Sequence, residues 1–287
     1  MQSVYSRVHA PASQGQSFLG EWLLGERLAA VTPVLPANSF ISAGMDGCRG
    51  GWVCAGWDGR NWSMVLFEDL QATLTCINPG ATVCIDMPIG LSDSGVRACD
   101  TEARKLLGER RGSVFAVPPR LALSDKNYPE LNAASKRHCG RGISKQAFFL
   151  LPKIRETEQH LTANAGRCEH WVECHPELCF SALNGGMPMT ESKKTSAGYR
   201  QRFAVLERHM AYPELPHLVS SALSLAPRSR LAKDDILDAL VCGLVARLEP
   251  SQRHCLPHGR HERDEVGRLM QICYPSTVLS MPQNSAE

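Results

Sequence analysis

After position 40, short apolar runs rich in aromatic and β-branched residues are bounded by turn residues, and this pattern predicts a series of β-strands. The predicted strands cover residues 41–46, 51–57, 62–67 and 82–85. Asp58-Gly59, between the second and third of them, is typical of a hairpin turn. A short helix over 69–76 and a break at Pro79-Gly80 precede the fourth strand. The predicted order is therefore strand, strand, strand, helix, strand.

The rest of the chain has mainly helical spacing of its apolar residues. The pattern predicts helices over residues 97–107, 128–137, 144–161, 199–210 and 234–248, and a further helix from Pro176 onward. A short strand over 171–174 lies before the helix that begins at Pro176, and Pro213, Pro216 and Pro227 predict a loop-rich passage. We therefore expect an N-terminal extension over 1–40, one α/β domain over 41–250 and a polar C-terminal tail over 251–287.

Composition narrows the class of protein. The chain has 287 residues, of which 43% are hydrophobic and 21% are charged, as in an ordinary globular protein. Its net charge of +2 excludes a protein that coats nucleic acid through bulk charge alone. We see neither a run of about 20 apolar residues nor a secretory signal, and we expect the 12 cysteines to be free thiols. These features predict a soluble, cytoplasmic protein that does not enter a membrane.

Acidic residues stand at positions that a folded chain would bring together. Asp46, Asp86 and Glu173 each end a predicted strand. Asp235 and Asp238 lie at the start of the last helix, three residues apart, and share one of its faces. Each acid alone is typical of an exposed carboxylate or a helix cap. Together they form a pattern of strand-end and helix-face carboxylates.

This pattern resembles the RNase H-like superfamily, and within it the predicted nucleases of the domain-of-unknown-function 429 family. The segments that carry the resemblance include 44–53 (GMDGCRGGWV), 85–91 (IDMPIGL), 173–177 (ECHPE) and 234–240 (DDILDAL). The resemblance extends over about residues 41–248. It implies an α/β fold with an RNase H-like mixed β-sheet flanked by helices and a helical insertion in the middle. It also implies a metal-dependent phosphodiesterase or nuclease.

The chemistry of the acids agrees with that implication. Mg²⁺ and Mn²⁺ prefer carboxylate oxygens, and two such ions could activate a water and stabilise the leaving oxygen of a phosphodiester. In this hypothesis Asp46 bridges two metal ions, and Asp86 and Asp238 each hold one. Glu173 or Asp235 completes the ligand set or orients water. Without metal, these carboxylates would raise one another's pKa.

A basic segment accompanies the acids. Residues 97–155 contain 13 lysines and arginines and 5 acidic residues, a local net charge of +8. Local enrichment of this kind is what a phosphate-binding face requires, although a solvated helical surface would look the same. The candidate substrate-binding residues are Arg49, Arg104, Arg111, Arg120, Lys145 and Lys194. They predict a nucleic acid or a nucleotide as substrate.

One histidine is a further candidate. His175, close to Glu173, is a candidate proton shuttle, although a histidine at a strand end is more often structural.

Two other classes of protein remain open. A nucleotide-binding enzyme of the actin-like or sugar-kinase type would also begin with a strand, an Asp and a glycine turn, as at Asp46-Gly47. It would normally require a second strand-rich half. The third interpretation is a module that binds nucleic acid or protein without catalysis.

Overall fold

The first four strands share one sheet with a short fifth strand. The computed structural model describes residues 36–210 and 214–276, so most of the predicted N-terminal extension lies outside the described residues. The strands are β1 (Phe40–Cys48), β2 (Gly51–Trp57), β3 (Trp62–Phe67), β4 (Ile77–Asp86) and β5 (Trp171–Glu173). Their order in the sheet is β3-β2-β1-β4-β5. The pairs β1–β2 and β2–β3 are antiparallel, and β1–β4 and β4–β5 are parallel. The sheet is therefore mixed.

Within the described ranges, seven α-helices flank the sheet. They are α1 (Ala98–Leu107), α2 (Tyr128–Cys139), α3 (Lys145–Ala163), α4 (Pro176–Leu183), α5 (Ser196–Glu207), α6 (Glu214–Leu225) and α7 (Lys233–Ala246). The first three form the predicted helical insertion between β4 and β5. The α/β class is thus confirmed. None of the helices in the described part of the chain is both long and apolar enough to cross a membrane.

The helix α7 packs against one face of the sheet, directly over β1. A Cβ atom on Gly44 would stand 1.9 Å from the backbone nitrogen of Gly243 and 2.2 Å from the carbonyl oxygen of Ala239. Only glycine therefore permits this close approach of strand and helix. The apolar side of α7 is completely buried, including Ile236 and Leu240. This packing fixes the distance between β1 and the acidic residues of α7.

The strand β4 and the helix α6 differ from the sequence prediction. β4 begins at Ile77 and runs through Pro79-Gly80, where Gly80 has a φ of +87° and the register with β1 shifts between Phe40 and Ser42. The break predicted here is an irregularity within a longer strand. α6 occupies the predicted loop, because Pro216 lies in the first turn of that helix, where a proline needs no hydrogen-bond partner.

Residues 251–276 belong to the fold, whereas the sequence pattern predicts a polar tail over 251–287, of which 277–287 lie outside the described residues. β6 (Arg253–Leu256) and β7 (Ile272–Pro275) form an antiparallel pair, joined by a disulfide between Cys255 and Cys273. The backbone of Cys273 also forms a single parallel β-bridge with that of Cys174, directly after β5. Ile272 is buried. Two four-residue strands separated by a polar loop give almost no periodic signal. The prediction of 12 free thiols is therefore wrong for this pair and right for the other ten cysteines.

Candidate metal and active site

Three acidic residues converge at one end of the parallel strands. Asp46 on β1 and Asp86 at the end of β4 are paired in register, so their side chains lie side by side on one face of the sheet. α7 crosses the same face and brings Asp238 to them. One carboxylate oxygen from each of the three residues lies within 4.8 Å of the others. Oxygen donors at this spacing fit a divalent metal ion such as Mg²⁺ or Mn²⁺.

The three carboxylates are poorly solvated. Asp238 is fully buried, and its Oδ1 atom has no hydrogen-bond partner among the described residues. Burial, followed by the charges of Asp86 and Asp238, raises the pKa of Asp46 well above its usual value. Burial and the charge of Asp238 also raise the pKa of Asp86 to about 7, although Lys193 opposes that shift. A cation at this position would relieve both the repulsion and the unmet hydrogen-bonding demand.

Lys193 already supplies one positive charge to the cluster. Its Nζ lies 2.5 Å from Oδ2 of Asp238 and 3.9 Å from Oδ2 of Asp234. Burial lowers the pKa of Lys193, but the surrounding carboxylates, Asp238 first, outweigh burial, so its pKa is raised well above the usual value. The sequence pattern selects the neighbouring Lys194 instead. That residue is exposed, and its Nζ lies 2.5 Å from Oδ2 of Asp234.

Glu173, a predicted metal ligand, lies on the other face of the sheet. It is level with Ile85, one residue before Asp86, and successive side chains of a strand point to opposite faces. Both of its oxygens accept hydrogen bonds from the buried guanidinium of Arg97, at 2.7 Å each. The backbone N–H of Ile89 donates a third, at 2.8 Å. Glu173 is therefore part of a buried ion pair and is not placed with the three converging acids.

Asp235 lies one turn before Asp238 and has a local partner. Its Oδ2 accepts a hydrogen bond of 3.0 Å from the backbone N–H of Ala232, so it caps the start of α7. Its charge nevertheless raises the pKa values of Asp46 and Asp86. Of the two residues predicted to complete the ligand set, only Asp235 is on the same side as the three acids.

Two residues near the cluster come from the start of α4. Glu177 is in the first turn of this helix, and His175 directly precedes it. The Nε2 atom of His175 lies 3.3 Å from the carbonyl oxygen of Ser113, and its Nδ1 has no hydrogen-bond partner within residues 36–210 and 214–276. Burial lowers the pKa of His175. Oε1 of Glu177 accepts hydrogen bonds from Arg202, whereas no described residue donates one to its Oε2. The charge of Glu177 raises the pKa values of the neighbouring Asp86 and Asp238.

Sequence reasoning missed Lys193 and the role of Glu177. Lys193 lies in a loop, where the sequence has no periodic pattern of apolar residues. Only the pair Lys193-Lys194 indicates a basic position there. Glu177 follows Pro176 at the start of a helix that leaves the strand beside β4, and this position could have identified it.

The basic residues divide into two groups. Arg104 donates to the carbonyl oxygens of Val114 and Phe115, and this holds the turn Gly108–Ser113 against α1. A surface pocket of about 340 Å³ opens there, lined by Thr101, Arg104, Lys105, Gly108 and Arg111. In the same turn, the guanidinium of Arg110 comes within 3.9 Å of Oε2 of Glu177. This basic pocket therefore lies on an element that reaches towards the carboxylates.

The other predicted substrate contacts are placed differently. Arg120 is bound in ion pairs with Glu158 and Asp264, which attach residues after 250 to the helical insertion. Lys145 is exposed at the first turn of α3, and Arg49 is exposed in the turn between β1 and β2. Arg120 thus has a structural role, while Arg49 and Lys145 remain candidate contacts on the surface.

The fold and the cluster define a mixed-sheet α/β protein with three converging carboxylates. The family model described as a protein of unknown function (DUF429) matches residues 44–262, and the chain belongs to this family. The matched region contains Asp46, Asp86 and Asp238. No curated protein matches the chain, and no solved structure matches it.

Proposed function

We propose that this protein is a metal-dependent phosphodiesterase that cleaves nucleic acid on an RNase H-like fold. The observation that carries the proposal is the convergence of Asp46, Asp86 and Asp238, with carboxylate oxygens within 4.8 Å of one another. The acids come from the first and fourth strands and the last helix, as the resemblance to RNase H-like nucleases implies. The unpartnered oxygen of Asp238 supports a cation at the same point.

The three carboxylates would hold Mg²⁺ or Mn²⁺, because both ions prefer oxygen donors. Such an ion, when bound, supplies Lewis-acid activation of water and neutralises charge on the phosphodiester. The buried walls of the site keep the carboxylates away from bulk solvent, which strengthens their interaction with a cation.

His175 is part of this proposal as a proton shuttle. The carbonyl oxygen of Ser113 can only accept a hydrogen bond, so Nε2 of His175 carries the proton and Nδ1 is free to accept one. Because its pKa is lowered by burial, the ring is neutral at pH 7. A neutral imidazole with a free nitrogen can take a proton from water.

Nucleic acid is the proposed substrate class, and the basic pocket supports it. Lys105 and Arg111 line that pocket, and Arg104 braces it from α1. Phosphate groups bind to clustered lysine and arginine side chains, whose charge attracts the polymer from a distance. A strand bound there would pass along the turn that carries Arg110, towards the carboxylates.

A cytoplasmic location belongs to the same proposal. It is supported by the ten cysteines that have no disulfide partner, since free thiols are typical of a reducing compartment.

The test is cleavage of labelled single- and double-stranded DNA and RNA in Mn²⁺ or in EDTA, with wild type, Asp46→Asn and Asp125→Asn. Asp125 is a matched control because its carboxylate is fully exposed and pairs only loosely with Arg155, at 3.9 Å. We expect cleavage only with metal, lowered about 100-fold or more in Asp46→Asn and unchanged in Asp125→Asn. Binding that is equal with and without metal, and no cleavage, would favour the non-catalytic module. Turnover of a nucleoside triphosphate alone would favour the nucleotide-binding enzyme.

A further inference from the structure

The loop between α4 and α5 holds Lys193 in a fixed place. Arg202, which is buried, donates one hydrogen bond of 3.1 Å to the carbonyl oxygen of Glu191 and others to Glu177. Gly198 packs so closely that a Cβ there would stand 1.9 Å from the carbonyl oxygen of Ser192. The loop is therefore anchored on both sides of Lys193. The Lys193 ammonium is therefore held in a fixed position beside the carboxylates.

The two oxygens of Asp238 have different surroundings. Oδ2 binds the Nζ of Lys193 at 2.5 Å, and Oδ1 is buried without a hydrogen-bond partner among the residues that the structure describes. The ammonium can therefore stay in place while Oδ1, with oxygens of Asp46 and Asp86, faces a metal ion. No described contact requires Lys193 to leave when the ion binds.

The charges limit the number of ions. The four carboxylates of Asp46, Asp86, Asp235 and Asp238 and the Lys193 ammonium carry a net charge of −3, since Asp234 is paired with Lys194 and Glu177 with Arg202. One divalent ion leaves a charge of −1, whereas a second would leave a net positive charge in a buried site, which is costly. Without the ammonium the four carboxylates carry −4, which two divalent ions would neutralise.

We infer that the site binds a single divalent ion and that Lys193 supplies the positive charge that a second ion would otherwise bring. This inference rests on the proposed function for the presence of a metal, and it replaces the two-ion arrangement expected from the sequence. It assigns to Lys193 the neutralisation of charge beside the ion.

Calorimetric titration with Mn²⁺ tests the inference, using wild type, Lys193→Met, Lys193→Arg and Lys126→Met. We expect one Mn²⁺ per chain in wild type and in Lys193→Arg, which keeps the charge. Removing the charge in Lys193→Met should admit a second ion or tighten the first by about tenfold or more, because a like charge a few ångströms away is lost. Lys126→Met removes the same charge from an exposed lysine of the helical insertion and is the control, so its single-ion stoichiometry should not change. Thermal unfolding of each variant confirms that it is folded.

Electron paramagnetic resonance gives a second measurement that does not depend on activity. Isolated Mn²⁺ should give a six-line spectrum in wild type, whereas two neighbouring ions in Lys193→Met should give an exchange-coupled spectrum. Two ions in wild type, or a Lys193→Met protein that binds Mn²⁺ as wild type does, would overturn the inference. One ion without any cleavage of nucleic acid would leave the inference intact and refute the proposed function. No binding by wild type would refute both.

Discussion

Replacing Asp86 with asparagine should make the metal-free protein more stable at pH 8 and less sensitive to pH. Burial and the charge of Asp238 raise the pKa of Asp86 from 3.8 to about 7. The folded protein therefore binds more protons than the unfolded chain between about pH 4 and pH 7. As a result, the free energy of unfolding falls as the pH rises through this window. Asparagine has the same shape and carries no charge.

The size of the effect follows from the pKa. Each pKa unit corresponds to about 1.4 kcal/mol, so ionisation of Asp86 within the fold costs about 4 kcal/mol. The linkage relation places about 2 to 3 kcal/mol of that loss between pH 5 and pH 8. The raised pKa of Asp46 adds to the pH dependence of the wild type in the same direction.

Urea denaturation in EDTA at pH 5 and pH 8 measures this directly for wild type, Asp86→Asn and Asp125→Asn. We expect the loss of stability between the two pH values to be about 2 kcal/mol smaller in Asp86→Asn than in wild type. Asp125→Asn should behave as wild type, because that carboxylate is exposed. An equal pH dependence in wild type and Asp86→Asn would refute the claim that burial and the charge of Asp238 raise the pKa of Asp86.

Four other predictions follow from buried contacts and from the disulfide. Gly44→Ala should lower the free energy of unfolding by about 3 kcal/mol or more and weaken Mn²⁺ binding, because a Cβ would push α7 away from β1; urea denaturation and calorimetry measure the two effects. Arg97→Met should destabilise by about 3 to 5 kcal/mol, since it leaves buried carboxylates unpaired. Glu173→Gln should likewise reduce stability in urea but keep the Mn²⁺ stoichiometry, and loss of the ion would instead identify Glu173 as a ligand. Reducing the disulfide between Cys255 and Cys273, which closes a loop of 18 residues, should lower stability by about 3 kcal/mol when urea curves with and without reductant are compared.

Local signals in the sequence predict much of the sheet and part of the site. β2 and β3 have the bounds that their aromatic and β-branched residues predict, because the Asp-Gly turn at 58–59 fixes both of their inner ends. Asp46 and Asp86 end neighbouring strands, and Asp238 faces inward from an amphipathic helix. The place of each of these acids within its strand or helix follows from local signals, so it could be predicted from the sequence.

The remaining features depend on contacts between distant segments. The position of Glu173 is decided by the register of β5, and a shift of one residue would turn its side chain to the other face. Lys193 reaches the carboxylates because Arg202 anchors its loop, and no periodic pattern records that contact. The pair β6–β7 is held by Cys255 and Cys273, two of twelve cysteines whose pairing the sequence does not specify.

Two groups of buried acids, among the residues that the structure describes, differ in whether their carboxylate oxygens have hydrogen-bond partners. The guanidinium of Arg97 donates to both oxygens of Glu173 and to both oxygens of Asp100. In contrast, Oδ1 of Asp238 accepts no hydrogen bond, and the neighbouring Asp46 has a pKa raised by burial and by like charges. A cluster that served only the fold would be expected to have its acceptors satisfied, because each unsatisfied buried group costs stability. The unpartnered oxygen of Asp238 and the raised pKa of Asp46 therefore support the proposed metal ion, and the Mn²⁺ titration of the Lys193 variants tests that proposal.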